Sequence, residues 1–188
     1  MPLTVYQLRI DLEDASLPIW RRVVVPADIS LADLSDVIQM AMDGWDGSHL
    51  HQFSRKGKIY APPSEYEDPE TSYEGRRLNQ LLKKDGDEMV YEYDFGDGWR
   101  HAVKLEEIRD ADADKTYPLC VAGENACPPE DIGGVWGYQV FLEARANKKH
   151  PQHEEMMEWL DGEAWDPHAF DLEGVSQYLQ EAEWEWRE

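Results

Sequence analysis

The sequence predicts an α+β domain with a mainly antiparallel sheet of N-terminal strands and hairpins, covered by one early helix and several C-terminal helices. Two observations support this prediction. Apolar and polar residues alternate in several segments of the N-terminal half, whereas apolar residues recur at helical spacing from about residue 135 onward. Strands that precede helices in this way are typical of α+β folds. We expect one domain over residues 1–188, with a C-terminal helical part at about 135–188.

The first predicted elements are two strands and a helix. Residues 6–12 alternate between apolar and polar side chains, and residues 19–25 form a β-branched stretch. A turn at Leu17-Pro18 is expected to join them into an antiparallel pair. Ser30 is the expected N-cap of the first helix, which ends near Gly44. The apolar face of this helix consists of Leu31, Leu34, Ile38 and Ala41.

A short hairpin, a loop and a helical turn follow. Residues 49–53 and 58–60 flank Gly57 and predict two short strands. The segment 61–75 is rich in Pro, Glu and Tyr and shows no periodicity, so we expect a loop. Residues 78–82 then predict one or two turns of helix.

A second hairpin contains the motif YDFGDGWRH at residues 93–101. A two-residue turn at Asp97-Gly98 would place the aromatic residues of the first strand across from Lys104, Ala102 and Arg100. A three-residue loop, Gly96-Asp97-Gly98, keeps the large apolar side chains on one face. We therefore expect the three-residue loop, with Gly98 in the left-handed conformation. The expected pairs are Phe95 with Trp99, Tyr93 with His101, Tyr91 with Val103 and Met89 with Leu105.

The C-terminal part is expected to be a long ordered loop followed by helices. Residues 110–134 are rich in turn-forming residues and too long for an ordinary connection, which is typical of a functional loop. Residues 135–148 form an amphipathic pattern, and residues 156–160 predict a short helix that stops at Gly162. A last helix is expected to begin near Asp166-Pro167. Its apolar face consists of Val175, Tyr178, Leu179, Ala182 and Trp186.

The composition restricts the classes of partner. The chain has 40 Asp and Glu against 18 Lys and Arg, a formal net charge of −22. Nucleic acids are bound largely through Lys and Arg, so direct nucleic-acid binding is not expected, whereas a protein with a basic face is a suitable partner. Neither an 18-residue apolar run nor a leader sequence stands out, so we expect a cytoplasmic protein without a membrane segment. The oligomeric state does not follow from these observations.

Several sequence motifs together carry a family resemblance. In chain order they are Ile19-Trp20-Arg21-Arg22, Gly44-Trp45, His49-Leu50-His51-Gln52-Phe53, residues 93–101, Cys127-Pro128-Pro129-Glu130-Asp131, Gly133-Gly134 and Gly137-Tyr138. Over nearly the whole chain they resemble the plasmid pRiA ORF-3-like family, whose members are sometimes labelled mobile-element passenger proteins or resolvases. The resemblance implies a compact, roll-like α+β domain and no established biochemical activity. No serine lies in a recognisable nucleophile motif, and the negative net charge disfavours DNA binding, so the resolvase label is not adopted.

The candidate site residues are histidines, cysteines and carboxylates. His49 and His51, two residues apart on a predicted strand, are expected to face the same side, where two imidazoles can bind one metal ion. The candidate ligands for a divalent metal such as zinc are His49, His51, His101, Cys120 and Cys127. The wider candidate pocket comprises His49, His51, Tyr93, Trp99, His101, Glu130 and Asp131. Ile132 stands where members of the resembled family often have a further cysteine, which weakens a thiolate cluster.

Packing alone is an alternative explanation for the same residues. The histidines are then core or strand residues, with His101 donating to a carbonyl, and the cysteines are small apolar side chains. Glu130 and Asp131 fit the first turn of a helix, where they offset the positive end of its dipole. Asp94 and Asp97 are a further carboxylate pair, but the expected hairpin turns Asp94 outward and leaves Asp97 in water. Acid–base catalysis by this pair is therefore not expected.

Three functional hypotheses follow. The leading one is a cytoplasmic, non-enzymatic accessory or protein-interaction module, because no complete catalytic set is present. The alternative is a metal-dependent hydrolase with His49, His51 and His101 and either Glu130 or Asp131 around one ion. A third hypothesis is that acidic residues in the segment 173–188 mimic the charge of a nucleic acid. Whether the candidate residues meet at one pocket tests the hydrolase hypothesis.

Overall fold

The computed structural model of the chain describes residues 3–63, 71–159 and 165–184. The strands are β1 (Thr4–Leu12), β2 (Trp20–Pro26), β3 (His51–Arg55), β4 (Lys58–Tyr60), β5 (Glu88–Tyr93), β6 (Trp99–Asp110) and β7 (Leu119–Glu124). The helices are α1 (Leu31–Met42), α2 (Leu78–Leu81), α3 (Gly134–Ala146), α4 (His153–Trp159) and α5 (Leu172–Glu181). The strands form one seven-stranded sheet in the order β4-β3-β5-β6-β1-β2-β7, with antiparallel neighbours throughout. The predicted α+β fold with a mainly antiparallel sheet is confirmed.

Strand β1 is an interior strand of the sheet, between β2 and β6. The apolar residues of its alternating pattern belong to the main core, together with residues of α1, α3 and α5. Helix α1 begins as predicted, because the Ser30 hydroxyl accepts the backbone N–H of Asp33 at 3.0 Å. It ends at Met42, and Asp43 follows in the left-handed conformation, with a φ of 60°. The chain then continues in a loop beside the β5–β6 hairpin.

The β5–β6 hairpin shows that the expected register was wrong by two residues. Tyr93 pairs with Trp99 and Tyr91 pairs with His101, so residues 94–98 form the loop instead of residues 96–98. A shift of two residues preserves the alternation of side chains, so the hydrophobic pattern does not distinguish the two registers. The paired aromatic residues and His101 lie on the inner face in both.

The conformation of Asp94 explains the wider loop. Asp94 adopts a left-handed φ of 53°, and its carboxylate accepts the backbone N–H of Gly96 at 2.9 Å. Gly98 has a φ of 69°, as expected for the loop glycine. Two other expectations were wrong: Phe95 is 47% exposed and does not join the inner face, and Asp94 is only 8% exposed. The buried aspartate points to a role for this loop beyond connection.

The C-terminal part differs from the prediction in two places. Residues 110–134 include β7, a strand that was not predicted. Its buried and exposed residues do not alternate clearly, so the sequence pattern gave no indication of a strand. Helix α5 begins after Asp171, whose carboxylate accepts the N–H of Gly174, whereas Asp166 accepts the N–H of His168 in a turn. The described helices include none long and apolar enough to cross a membrane. Three residues that the prediction assigned to the last helices, Leu160, Gly162 and Trp186, lie outside the described residues.

Candidate functional site

Three loops meet beside the β5–β6 hairpin. They are the α1–β3 loop (residues 43–50), the hairpin loop (residues 94–98) and the β7–α3 loop (residues 125–133). The Asp97 carboxylate accepts the backbone N–H of Gly133 at 3.0 Å, so Asp97 is not simply in water as expected. Gly134 lies so close that an added Cβ would be 2.3 Å from the carbonyl oxygen of Asp97. Two of the motifs behind the family resemblance are therefore in direct contact.

His49, from the α1–β3 loop, lies among carboxylates from the other two loops. Its Nδ1 is 3.6 Å from Oδ1 of Asp94, and its Nε2 is 3.5 Å from Oδ1 of Asp131 and 3.7 Å from Oε1 of Glu130. Asp94 is buried, Glu130 is half-buried and Asp131 is exposed. An imidazole therefore faces three carboxylates that come from two loops far apart in the sequence.

Glu130 connects this group to the aromatic core. The Tyr93 hydroxyl donates to Oε1 of Glu130 at 2.7 Å, and the Trp45 ring stacks on Tyr93 with ring centroids 4.8 Å apart. Oε2 of Glu130 is buried and has no hydrogen-bond partner of normal geometry among the described residues. Desolvation raises the pKa of Glu130, while the bond from Tyr93 and the backbone N–H of Asp46 act in the opposite direction. This carboxylate is thus only partly satisfied by the protein.

His101 is fully buried and lies apart from that group. Its ring contacts the edge of Trp45 at a centroid distance of 5.2 Å and Tyr91 at 5.8 Å. Burial lowers the pKa of His101 to about 4, although the carbonyls of Tyr91 and Trp99 favour the protonated ring. Neither carbonyl forms a hydrogen bond of normal geometry with the ring. His101 is therefore a neutral core histidine, as the packing alternative predicted, but it does not donate to a carbonyl.

His51 and His49 do not share a face as expected. Strand β3 begins only at His51, so His49 belongs to the preceding loop and turns toward Asp94. His51 Nε2 lies 3.0 Å from the Tyr73 hydroxyl, and burial lowers the pKa of this histidine. The rule that residues two apart face the same side applies only within a strand.

The two cysteines are buried and form no disulfide. Burial raises the pKa of Cys120 to about 11 and raises that of Cys127 further, while the nearby Arg21 acts in the opposite direction. Both thiols are therefore uncharged at neutral pH, which favours their interpretation as small apolar side chains.

Arg21, from the motif Ile19-Trp20-Arg21-Arg22, is buried and was not among the predicted site residues. Its guanidinium donates to the carbonyls of Ala41 and Met42 at the end of α1 and to the carbonyl of Glu124 at the end of β7. It also stacks on Phe170, with Cζ 4.0 Å from the ring centroid. A cation bound to the last carbonyls of a helix also interacts favourably with the helix dipole. Arg21 therefore fixes the point where the α1–β3 loop begins.

The predicted metal ligands do not gather as a set. Within the described part of the chain, one group of His, Cys, Asp or Glu has three ligand atoms within 4.8 Å of one another, namely His49, Asp94 and Asp131. His49 was a predicted metal ligand, and Asp131 was a pocket residue that the hydrolase hypothesis offered as an alternative to Glu130. Asp94 was set aside because of the wrong hairpin register. The other predicted ligands, His51, His101, Cys120 and Cys127, do not belong to this group.

An acidic groove lies on the other side of the α1–β3 loop, between α1 and α5, with a volume of about 780 Å³. Four carboxylates and three large aromatic rings line it, and the described lining residues include no Lys, Arg or His. The lining residues are Asp36, Gln39, Met40, Asp43, Gly44, Trp45, Asp46, Gly47, Tyr178, Ala182, Glu183 and Trp184. We call this feature the acidic groove.

Asp36, on α1, is a groove carboxylate whose pKa is raised. Burial, with a smaller contribution from the nearby Asp33, raises the pKa of Asp36 to about 6. The side chain keeps contact with solvent, which offsets part of this effect. Asp36 and Asp43 are seven residues apart, two helical turns, and this spacing was the sequence signal for an acidic face that the prediction missed.

Comparisons with known proteins agree with the fold. A family model described as "Plasmid pRiA4b ORF-3-like protein" matches residues 4–174. The uncharacterized protein y4hQ of Sinorhizobium fredii (strain NBRC 101917 / NGR234) is 34% identical over 189 residues, covering 99% of this chain and 96% of that protein. The crystal structure of a protein of unknown function, MM3350 from Methanosarcina mazei Go1, is similar with a TM-score of 0.82 and 34% identity. That match covers 94% of this chain and 99% of the other.

Proposed function

This chain belongs to the plasmid pRiA4b ORF-3-like family, and because the names of these relatives state no activity, we propose a function from its own surface. The protein is an interaction module that binds a basic segment of a partner protein in the acidic groove. The observation that carries this proposal is the presence of four groove carboxylates without a basic residue among the described lining residues. The net charge of −22 would steer a basic partner toward the protein.

The aromatic walls suit the side chains of lysine and arginine. Tyr178 is 55% exposed and is the ring that a ligand can reach most fully, while Trp45 and Trp184, 9% and 5% exposed, contribute a small part of the wall. The aliphatic part of a lysine or arginine packs against such rings, while the cationic end reaches a carboxylate or an aromatic face. The groove volume lies within the range of about 300–1,000 Å³ that is usual for ligand pockets. A segment with two or more basic residues therefore matches both the charge and the shape of the groove.

The test is binding of a labelled Lys/Arg-rich peptide, measured by fluorescence anisotropy at about 0.05 M and about 0.5 M salt. The variant Asp43→Asn/Asp46→Asn/Glu183→Gln removes three groove charges. Each exposed ion pair contributes about 0.2–1 kcal/mol, so we expect the loss of three to weaken binding by about 3- to 150-fold. Added salt should weaken binding to the native protein.

A matched variant separates the groove from net charge. Asp85→Asn/Asp110→Asn/Asp114→Asn also removes three charges, but from exposed residues that do not line the groove. We expect it to bind the peptide nearly as tightly as the native protein. Equal weakening in both variants would contradict the proposal, because it would mean that the peptide responds only to total charge.

We place this function in the cytoplasm, where the free thiols of Cys120 and Cys127 suit a reducing environment. Charge mimicry by the segment 173–188 stays a prediction, and its residues 185–188 lie outside the described part of the chain. Glu183, in the same segment, lines the groove. Its carboxylate therefore contributes to the interaction surface that we propose.

A metal-dependent hydrolase is the second candidate, and the position of His49 between Asp94 and Asp131 favours it. Hydrolysis of aryl phosphate mono- and diesters in the presence of Mn²⁺ or Zn²⁺ tests this hypothesis. Activity that depends on added metal and is lost in His49→Gln would support it. Absence of turnover in a metal-loaded protein would rule out hydrolysis of these esters.

A further inference from the structure

We propose that His49, Asp94 and Asp131 bind one divalent transition-metal ion where the three loops meet. This site lies across the α1–β3 loop from the acidic groove and does not depend on the peptide-binding function. The three side chains come from three different loops, so their proximity is produced by the fold and not by their position in the sequence.

The spacing of the ligand atoms suits a metal ion. One nitrogen of His49 and one oxygen each of Asp94 and Asp131 lie within 4.8 Å of one another. An ion with bonds of about 2.1 Å holds its ligand atoms about 3.0–4.2 Å apart, depending on the angle between the bonds. The Nδ1 atom of His49 is 3.6 Å from Asp94 and the opposite nitrogen, Nε2, is 3.5 Å from Asp131, so the single nitrogen that binds the ion has one of these carboxylates within that range. Because the three ligand atoms lie within 4.8 Å of one another, binding requires the remaining carboxylate to move by about 1 Å.

Glu130 adds a third carboxylate beside the same imidazole. Its Oε1 accepts the Tyr93 hydroxyl and lies 3.7 Å from Nε2 of His49, while its buried Oε2 has no partner of normal hydrogen-bond geometry among the described residues. A buried carboxylate oxygen without a partner carries a desolvation cost that a nearby positive charge offsets. With Asp94 and Asp131, three carboxylates surround one imidazole, and the protein places no Lys or Arg in an ion pair with any of the three within its described part.

The donor set indicates which ions are suitable. One imidazole nitrogen with carboxylate oxygens suits Mn²⁺ and Zn²⁺, whereas Mg²⁺ and Ca²⁺ prefer oxygen ligands throughout. Neither cysteine belongs to this group of ligand atoms, so a thiolate-bound zinc of the structural type does not fit. A protonated His49 paired with the same carboxylates is the competing arrangement, and it predicts no metal uptake.

The experiment is calorimetric titration of chelator-treated full-length protein with MnCl₂ and with ZnCl₂, together with electron paramagnetic resonance of bound Mn²⁺. We expect one ion per chain. His49→Gln, Asp94→Asn and Asp131→Asn should each weaken binding at least about tenfold, as loss of one ligand usually does. Asparagine tolerates the left-handed backbone at Asp94 and Asp131, which have φ values of 53°, so these variants are expected to fold. Circular dichroism of each variant checks this.

Two controls separate this site from other carboxylates. Asp114→Asn removes an exposed acid that belongs to neither site, and the groove variant Asp43→Asn/Asp46→Asn/Glu183→Gln removes the groove charges. Both should keep the single tight ion. Loss of the ion in the groove variant with retention in His49→Gln would place the metal in the groove and overturn the proposal. Absence of binding to the native protein at millimolar metal would also overturn it, whatever the result with the peptide.

Discussion

The buried imidazole of His101 is expected to make the stability of the protein depend on pH. Burial lowers its pKa from 6.5 to about 4, so between these values the unfolded chain takes up a proton that the folded protein does not. The stabilisation is fully present above pH 6.5 and is lost as the pH falls toward 4. At about 1.36 kcal/mol per pKa unit, the full effect is about 3 kcal/mol, of which about 2 kcal/mol is already lost at pH 5.

The perturbation that isolates this effect is His101→Phe. Phenylalanine fills similar space beside Trp45 and Tyr91, and no hydrogen bond of normal geometry is lost, because neither ring nitrogen has one. We expect the variant to lie within about 1 kcal/mol of the native protein at pH 8. Between pH 8 and pH 5, the unfolding free energy of the native protein should fall by about 2 kcal/mol more than that of the variant.

Urea unfolding followed by tryptophan fluorescence at pH 8, 7, 6 and 5 provides the measurement. The many carboxylates of the chain also titrate in this range, but they are common to both proteins and cancel in the difference between them. Parallel curves of unfolding free energy against pH for the two proteins would refute the reasoning. That result would mean that the folded protein accepts a proton on His101 as readily as the unfolded chain.

Three further predictions concern the structure around the two sites. Gly134→Ala should destabilise the fold by about 3 kcal/mol, because the added Cβ would meet the Asp97 carbonyl. Gly86 also has a positive φ but has open space around it, so Gly86→Ala should cost about 1 kcal/mol in the same urea assay. Arg21→Met should cost at least about 3 kcal/mol in thermal unfolding, because it removes the donors to the end of α1; a loss below 1 kcal/mol would contradict this. Peptide binding should strengthen as the pH rises through about 6, where Asp36 becomes charged. Asp36→Asn should flatten this pH dependence of binding, and the same pH dependence in the variant would exclude a role of Asp36 in binding.

The regular part of the fold was predictable because local rules and packing agree there. The alternation of residues 6–12 and the Ser30 cap predict elements that the structure confirms. The β5–β6 register was not predictable, because a two-residue shift keeps the same side chains inside. Strand β7 was missed because it pairs through a register shift between Arg22 and Val23 and shows no clear alternation.

The site was harder to predict for a different reason. Its side chains come from loops, and their positions depend on backbone conformations that the pattern of apolar residues does not encode. Asp94 and Asp131 both adopt left-handed backbone, which is uncommon for residues other than glycine. The prediction placed Asp94 outward on the assumption of an extended strand. The wrong register and the omission of Asp94 from the candidate ligands therefore have one cause.

The α1–β3 loop links the two sites because its residues serve both. Asp43 and Asp46 line the groove, while His49, three residues further on, lies among the carboxylates of the other two loops. Trp45, in the groove wall, stacks on Tyr93, whose hydroxyl is bonded to Glu130. Left-handed residues and close backbone contacts concentrate where these loops meet, whereas the central strands follow the ordinary rules. Strain of this kind persists only where the surrounding structure holds it in place, so the loops that carry the carboxylates are the part of the molecule in which function is best sought.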